Sequence, residues 1–134
     1  MKRFLTFCAP AAALIAEFLP WGVQMNFANP EGPPFTELCS YFDLLPMGYG
    51  NLFPMLVSIL TCILILDLSF YGVRGTRPPL IVGLVLSALA AVCSGFQLAF
   101  SPVTVIGILI LLFMAGQMVY LSILLKNFNK KTAD

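Results

Sequence analysis

The sequence predicts an all-α fold, an integral membrane four-helix bundle with a long outer loop between helices 1 and 2. Hydrophobic residues make up 60% of the 134 residues and charged residues only 10%, and the mean hydropathy is +0.96. Soluble domains contain roughly 45–50% apolar and about 25% charged residues. The apolar residues fall into four runs, and a membrane-spanning helix needs about 20 such residues. We therefore predict one transmembrane domain over residues 1–134, in contact with the lipid bilayer.

The first predicted span covers about residues 4–24. Pro10 lies inside it and predicts a kink, because proline removes one helical hydrogen bond. Trp21 lies near its end, where aromatic residues mark the membrane interface. The start of the chain also resembles a secretory signal peptide. The apolar run continues past Glu17, however, so we interpret the segment as a retained helix.

The other three predicted spans are about residues 52–71, 80–100 and 103–125. Pro54 falls in the first turn of the second span, where a helix has no partner for the missing N–H group. The Ser101-Pro102 pair predicts a tight turn and a cap for the fourth span. The remaining long segment, about residues 26–51, is the predicted outer loop.

The placement of the charges predicts the orientation. The chain has 7 basic residues, and all of them lie at the predicted helix ends opposite the long loop. They are Lys2, Arg3, Arg74, Arg77, Lys126, Lys130 and Lys131. The loop carries Glu31, Glu37 and Asp43 and no basic residue. Because basic residues favour the cytoplasmic side, we predict a multi-pass protein of the cell membrane with both termini in the cytoplasm.

The outer loop is too apolar for a solvated linker, which is usually polar and rich in Gly and Ser. It is either a lid over the helix ends or a docking surface for another membrane protein, since large apolar patches mark interaction sites. Asn29-Pro30 and Pro46 predict turns, and residues 36–45 (TELCSYFDLL) predict a short interfacial helix. The candidate interaction residues are Phe35, Tyr41, Phe42 and Tyr49.

Polar side chains within the spans predict two layers. Glu17 and Gln97 lie at matching depths near the outer face, and Asp67, Tyr120 and Gln117 lie near the inner face. An ionisable residue in a span is a functional-site hypothesis. Three roles remain open for these layers: fixing the register of the helices, carrying a proton or ligand, and recognising a basic residue of a partner.

The third span carries small residues at every fourth position. Small residues allow helices in lipid to approach closely, so this stripe predicts a contact with another helix of the bundle or with a second copy of the chain. The stripe consists of Gly83, Ser87, Ala91, Gly95 and Ala99.

Catalytic chemistry has little support in the sequence. The chain contains no histidine, which removes the commonest general base. Its 4 cysteines stand far apart, which argues against a zinc site and a thiol–disulfide catalyst. Cys39 is free or links two chains, and we favour a free thiol. We predict no enzyme activity, no metal, no cofactor and no nucleic-acid partner.

Two resemblances to known families rest on short motifs. The NPEG run at residues 29–32 and the SYFD and GYGN runs at residues 40–43 and 48–51 resemble uncharacterised small four-helix membrane proteins of Gram-positive bacteria. The AALIAEF run at residues 12–18 resembles the first helix of the small multidrug resistance transporters. That second resemblance implies that Glu17 exchanges protons for cationic drugs.

These observations lead to two predictions of function. The first is a small membrane accessory or interaction protein that presents its outer loop to a partner. The alternative is a small proton-coupled transporter that uses Glu17 and acts as a homo-oligomer.

Overall fold

The computed structural model describes residues 5–43, 52–100 and 102–131. Within these ranges the chain forms four helices and one two-stranded antiparallel sheet. The elements in chain order are α1 (Leu5–Glu17), β1 (Val23–Phe27), β2 (Phe35–Cys39), α2 (Leu52–Arg74), α3 (Arg77–Phe100) and α4 (Val105–Lys131).

Three of the helices are long and apolar enough to cross a membrane. Helices α2, α3 and α4 contain 23, 24 and 27 residues, against the roughly 20 that a span needs. Helix α1 is apolar but has only 13 residues. At about 1.5 Å per residue it is roughly 20 Å long, less than the thickness of about 30 Å of a hydrocarbon core.

Helix α1 ends at Glu17, well before the predicted limit of the first span at Gln24. The Phe18 and Leu19 N–H groups still bond back to carbonyls of the last turn. Pro20 has no N–H group to continue the helical hydrogen bonds, and a proline disfavours the helical conformation of the residue before it. The following residues enter β1, so the predicted helix over residues 18–24 is absent.

The helices pack in a ring in which α1 contacts α2 and α4, and α3 contacts α2 and α4. The C-terminal parts of α2 and α4 and the start of α3 form one end, called the basic end because it carries Arg74, Arg77, Lys126 and Lys130. The opposite end, called the hairpin end, carries the sheet. Leucines fill the core toward the basic end, with Leu64, Leu68, Leu80 and Leu121 fully buried.

The small-residue stripe of α3 follows the helix interface only at Gly83 and Ser87, which are buried. Steps of four residues turn about 40° more than one helical turn each time, so the stripe rotates out of the interface. Ala91 and Gly95 are half-buried and Ala99 is exposed. A Cβ at Gly83 would lie 3.3 Å from side chains of α2 and α4, whereas one at Gly95 would meet nothing within 4 Å.

The face of α3 that packs against its neighbours instead repeats at alternating steps of three and four residues, which matches the period of 3.6 residues. Its buried residues are Leu80, Gly83, Ser87, Ala90, Ser94 and Gln97.

Strands β1 and β2 form a hairpin whose register pairs Val23 with Cys39 and Phe27 with Phe35. The predicted turn at Asn29-Pro30 is confirmed, because the Gly32 N–H donates to the Asn29 carbonyl. The predicted short helix over residues 36–45 is wrong for its first part, since residues 36–39 belong to β2. The connection over residues 28–34 brings this segment against β1, where cross-strand bonds satisfy its backbone groups. An isolated helix of ten residues would be only marginally stable.

Candidate functional site

Tyr41 occupies the centre of the hairpin end. The sequence predicts it as an exposed interaction residue, but its side chain is 0% exposed. Its backbone N–H donates to the Glu17 carbonyl at 3.1 Å, and its hydroxyl donates to Gln97 Oε1. The segment that follows β2 is therefore fastened to α1 through its backbone and to α3 through its side chain.

Two neighbours shape the pocket that holds the Tyr41 ring. A Cβ on Gly22 would lie 2.8 Å from Tyr41 Cδ2, so the close approach of the ring requires glycine at this position. Thr104 donates its hydroxyl to the Gly22 carbonyl at 2.7 Å, and its Oγ1 accepts from the Gly107 N–H at 3.0 Å. Thr104 thus caps α4 and braces the backbone that lines the ring. Ser101, the predicted cap, lies outside the described residues.

Burial raises the pKa of Tyr41 to about 12, because the phenolate would lose its hydration. Gln97 and Ser94 lie within reach of the phenol and lower this pKa, and the charge of Glu17 raises it. Tyr41 is therefore a neutral hydrogen-bond donor at physiological pH. Its polar surroundings come from α1, α3 and its own segment.

Glu17 is completely buried at the end of α1. The Thr61 hydroxyl of α2 donates to its Oε1 at 2.7 Å, whereas its Oε2 has no hydrogen-bond partner. Glu17 and Gln97, which the sequence predicts at matching depths, each accept a bond from a different hydroxyl: Glu17 from Thr61 and Gln97 from Tyr41. We call Glu17, Tyr41, Thr61, Ser94 and Gln97 the Tyr41 cluster.

Each member of the Tyr41 cluster is at most 2% exposed. The sequence indicated Glu17 and Gln97 as members, but Thr61 and Ser94 gave no signal, because single hydroxyl residues are common in apolar helices. Their hydroxyls commonly bond to the carbonyl one turn earlier. Thr61 Oγ1 also lies 2.9 Å from the Val57 carbonyl, so its single proton is shared between this carbonyl and Glu17. Its orientation toward Glu17 depends on how α1 packs against α2.

The second predicted layer lies toward the basic end and is only partly assembled. Asp67 faces α3, where its Oδ2 lies 3.3 Å from the position of a Cβ on Gly83 and has no hydrogen-bond partner. Gln117 does not join Asp67; its amide donates to the Thr6 carbonyl of α1 at 3.0 Å. Tyr120 is half-buried on α4, and its pairing with Asp67 stays a prediction.

The bond from Gln117 has a cause in the sequence of α1. Pro10 lies four residues after Thr6 and has no N–H group, so it cannot donate to the Thr6 carbonyl. Gln117 supplies a donor from α4 instead. A buried carbonyl without a donor is costly in an apolar interior, so this glutamine compensates for the proline inside α1.

The outward surface of the hairpin is apolar and acidic. The first four residues of β2 are exposed, including Phe35 at 52% and Leu38 at 49%. Trp21, which precedes β1, is 58% exposed. The Phe35 ring stacks on Phe27 with ring centroids 5.3 Å apart. Glu31 and Glu37 are also exposed, so carboxylates border the apolar residues.

The other candidate interaction residues differ from Phe35. Phe42 is half-buried and stacks on Phe18 with ring centroids 4.4 Å apart. Tyr49 lies outside the described residues. Of the three predicted interaction residues that the structure describes, Phe35 is exposed, Phe42 is half-buried and Tyr41 is an internal anchor.

The four cysteines form no disulfide with one another, and the choice between a free Cys39 thiol and a link between two chains stays a prediction. Cys39 is buried at the end of β2. Burial raises the pKa of its thiol, and the nearby charges of Glu37 and Asp43 raise it further. Cys39 is therefore a poor nucleophile at neutral pH. Within the described ranges, no three His, Cys, Asp or Glu side chains come together as metal ligands.

Comparisons with protein-family models, with curated proteins and with solved structures find no match for this chain. The geometry of the hairpin end is therefore the evidence that bears on function.

Proposed function

We propose that this protein is a small membrane accessory protein that docks another membrane protein through its hairpin. The observation that carries the proposal is the contrast between the two sides of the hairpin. Tyr41 holds one side against the helix ends with buried hydrogen bonds. The other side leaves Phe35 and Leu38 about half exposed.

The distribution of charge supports an orientation with the hairpin outside the cell. Arg74, Arg77, Lys126 and Lys130 lie at the basic end, and acidic side chains lie on the hairpin. Basic residues are retained preferentially on the cytoplasmic side. In this orientation all four helices cross the bilayer, the short α1 with local thinning of the bilayer, and both termini are cytoplasmic.

The chemistry of the hairpin indicates the kind of surface that it binds. Glu31, Glu37 and Asp43 are exposed, and the sequence has no basic residue between positions 4 and 73. A complementary partner carries Lys or Arg side chains around an apolar patch, because opposite charges steer and orient association. The proposed partner is the outer segment of another membrane protein with such a patch.

Photo-cross-linking in native membranes tests this proposal. A photo-activated cross-linking residue replaces Phe35. The matched control places the same residue at Ile59, which is 45% exposed on α2. We expect a protein adduct of one discrete mass from position 35 and none of that mass from position 59. Glu37→Lys should reduce the adduct at least about fivefold, as loss of an interfacial charge pair does. Identical adducts from both positions would contradict docking through the hairpin.

A proton-coupled transporter is the second candidate, and the burial of Glu17 favours it. A carboxyl group that is 0% exposed and leaves one oxygen without a partner has properties expected of an ion-carrying residue. The test is pH-driven uptake of a cationic dye into proteoliposomes. Glu17→Gln should abolish the uptake, and Asp67→Asn should retain it. Equal uptake by wild type and Glu17→Gln excludes this candidate.

A further inference from the structure

We propose that the Tyr41 cluster binds one small monovalent cation of the Na⁺ class between Glu17 and Ser94. This inference concerns binding inside the bundle. It stands independently of docking through the hairpin and of whether any ion crosses the membrane.

The Tyr41 cluster contains two buried oxygens without a hydrogen-bond partner. Glu17 Oε2 and Ser94 Oγ are both buried and both lack a hydrogen-bond partner. Their residues are each 0% exposed. Most buried polar side-chain atoms have a partner, and the exceptions require an explanation such as a bound ion.

Both oxygens belong to the surroundings of one side chain. Ser94 lies close enough to the Tyr41 phenol to lower its pKa, and the charge of Glu17 acts on the same phenol. The Tyr41 hydroxyl is directed to Gln97. It therefore does not donate to Glu17, whose Oε2 remains available to a ligand, and a cation would replace the contact between Ser94 and the phenol.

The charge of Glu17 also favours a bound cation. An ionised Glu17 in this apolar interior needs a positive charge nearby, because an isolated buried carboxylate is strongly unfavourable. Among the described residues, the basic side chains lie at the opposite end, on Arg74, Arg77, Lys126 and Lys130. Glu17 is therefore neutralised either by a proton or by a bound cation, and the proposal is that a cation does so.

The donor atoms indicate which cation fits. The Tyr41 cluster offers carboxylate, hydroxyl and amide oxygens, and such hard ligands suit alkali and alkaline-earth cations. Its single carboxylate neutralises one positive charge, which favours a monovalent ion. Asp67 lies six residues after Thr61 on α2, about 9 Å along the axis, too far to coordinate the same ion directly.

The packing of the site argues for a small ion. All five side chains of the Tyr41 cluster are within 2% of complete burial, and a Cβ on Gly22 would already collide with the Tyr41 ring. An organic cation of several heavy atoms requires displacement of Tyr41. A bare alkali cation is the smallest ligand that can contact both oxygens without displacing Tyr41.

The test is the thermal unfolding of the purified full-length protein in mild detergent, followed by the fluorescence of Trp21. NaCl is titrated against choline chloride at constant chloride concentration. A ligand that binds only the folded state raises Tm with its concentration. We expect a saturable rise of about 5 °C with Na⁺ over choline, together with retention of ²²Na⁺ on the protein in equilibrium dialysis.

Three variants locate the ion. Glu17→Gln, whose side-chain oxygen still accepts from Thr61, should remove the rise in Tm and the retained ²²Na⁺. Ser94→Ala should weaken the apparent affinity about tenfold. Asp67→Asn alters a half-buried carboxylate whose Oδ2 also lacks a hydrogen-bond partner, and it should keep the wild-type response. Size-exclusion chromatography checks that each variant is folded.

Several results overturn the proposal. Equal effects of Na⁺ and choline show a response to ionic strength alone. A response to Na⁺ that survives in Glu17→Gln places the ion elsewhere. A rise in Tm on acidification without any response to Na⁺ shows that a proton, and no metal cation, neutralises Glu17.

Discussion

The two ends of the bundle are held together in different ways. At the basic end, leucines such as Leu64 and Leu68 pack from facing helices. At the hairpin end, Tyr41 is inserted among hydrogen-bonding groups of α1 and α3. The first arrangement gains from many weak contacts that tolerate similar apolar residues. The arrangement at the hairpin end depends on a few directional hydrogen bonds, each of which is lost when one partner is replaced.

This difference shows which contacts hold the hairpin on the helix ends. The described part of helix α1 is shorter than the hydrocarbon core is thick, and the chain after it turns into β1. The strands alone make a marginal structure, because an isolated hairpin is barely stable in water. Tyr41 and Thr104 supply the tertiary contacts that fix the hairpin on the helix ends.

The largest effect is expected for Tyr41→Ala. It leaves a cavity and removes the donor to Gln97, which should lower the free energy of unfolding by about 4 kcal/mol. Leu68→Ala is the matched variant of the basic end and should cost about 3 kcal/mol. Hydrogen exchange of the β1 and β2 amides separates them, since only Tyr41→Ala should speed it selectively. Equal protection of the strands in both variants would refute the role of Tyr41.

The next effect is expected for Gly22→Ala. The added methyl group would lie 2.8 Å from the Tyr41 ring, and such overpacking should lower the free energy of unfolding by about 2 kcal/mol. Gly95→Ala is the control, because its Cβ meets nothing within 4 Å. That change should stabilise α3 by up to about 1 kcal/mol through helix propensity. If Gly22→Ala is as harmless as Gly95→Ala, the ring is not tightly enclosed.

A smaller effect is expected for Gln117→Leu at the basic end. The variant removes the donor to the Thr6 carbonyl, and buried bonds between membrane helices contribute about 1 kcal/mol. Pro10→Ala restores an N–H group within α1 that can bond the same carbonyl. In the double variant the cost of Gln117→Leu should therefore shrink to near zero. Additive costs in this double-mutant cycle would show that the glutamine does not compensate for the proline.

The smallest effect appears only in alkali. The pKa of Tyr41 rises from the ordinary value of 10.0 to about 12 in the folded state. The unfolded chain therefore loses the phenol proton first, and stability that is complete below pH 10 falls as the pH rises toward 12. The loss attributable to Tyr41 should be about 1 kcal/mol at pH 11. Tyr41→Phe should lack this component, and an unchanged alkaline profile in that variant would contradict the assignment.

Much of the fold was predictable from the sequence because hydropathy acts over whole segments. Long apolar runs with few charges predict the helices α2, α3 and α4, and Pro10 and Asn29-Pro30 predict local irregularities from their own covalent structure. The packing stripe of α3 was less predictable. Repeats of four residues look continuous in the sequence, yet the period of 3.6 residues carries Gly95 and Ala99 away from the interface.

The candidate site was predictable only in part. Glu17 and Gln97 are conspicuous because they are polar residues in apolar segments, and both are buried near Tyr41. Their hydrogen-bond partners were not predictable. Such a bond forms only when the packing of two helices places donor and acceptor within about one ångström of the required distance. Thr61 and Ser94 resemble any other hydroxyl residue of an apolar helix until the neighbouring helix is in place.

The sequence by itself determined the apolar helices and the separation of basic from acidic residues, because both follow from composition along the chain. Only the tertiary structure decided that α1 stops at Glu17, that residues 23–39 form a hairpin, and that Tyr41 points inward. These features depend on Gly22, Gln97 and Thr104, which are distant in sequence and meet only when the helices pack. Contacts between distant residues leave no periodic pattern in the chain.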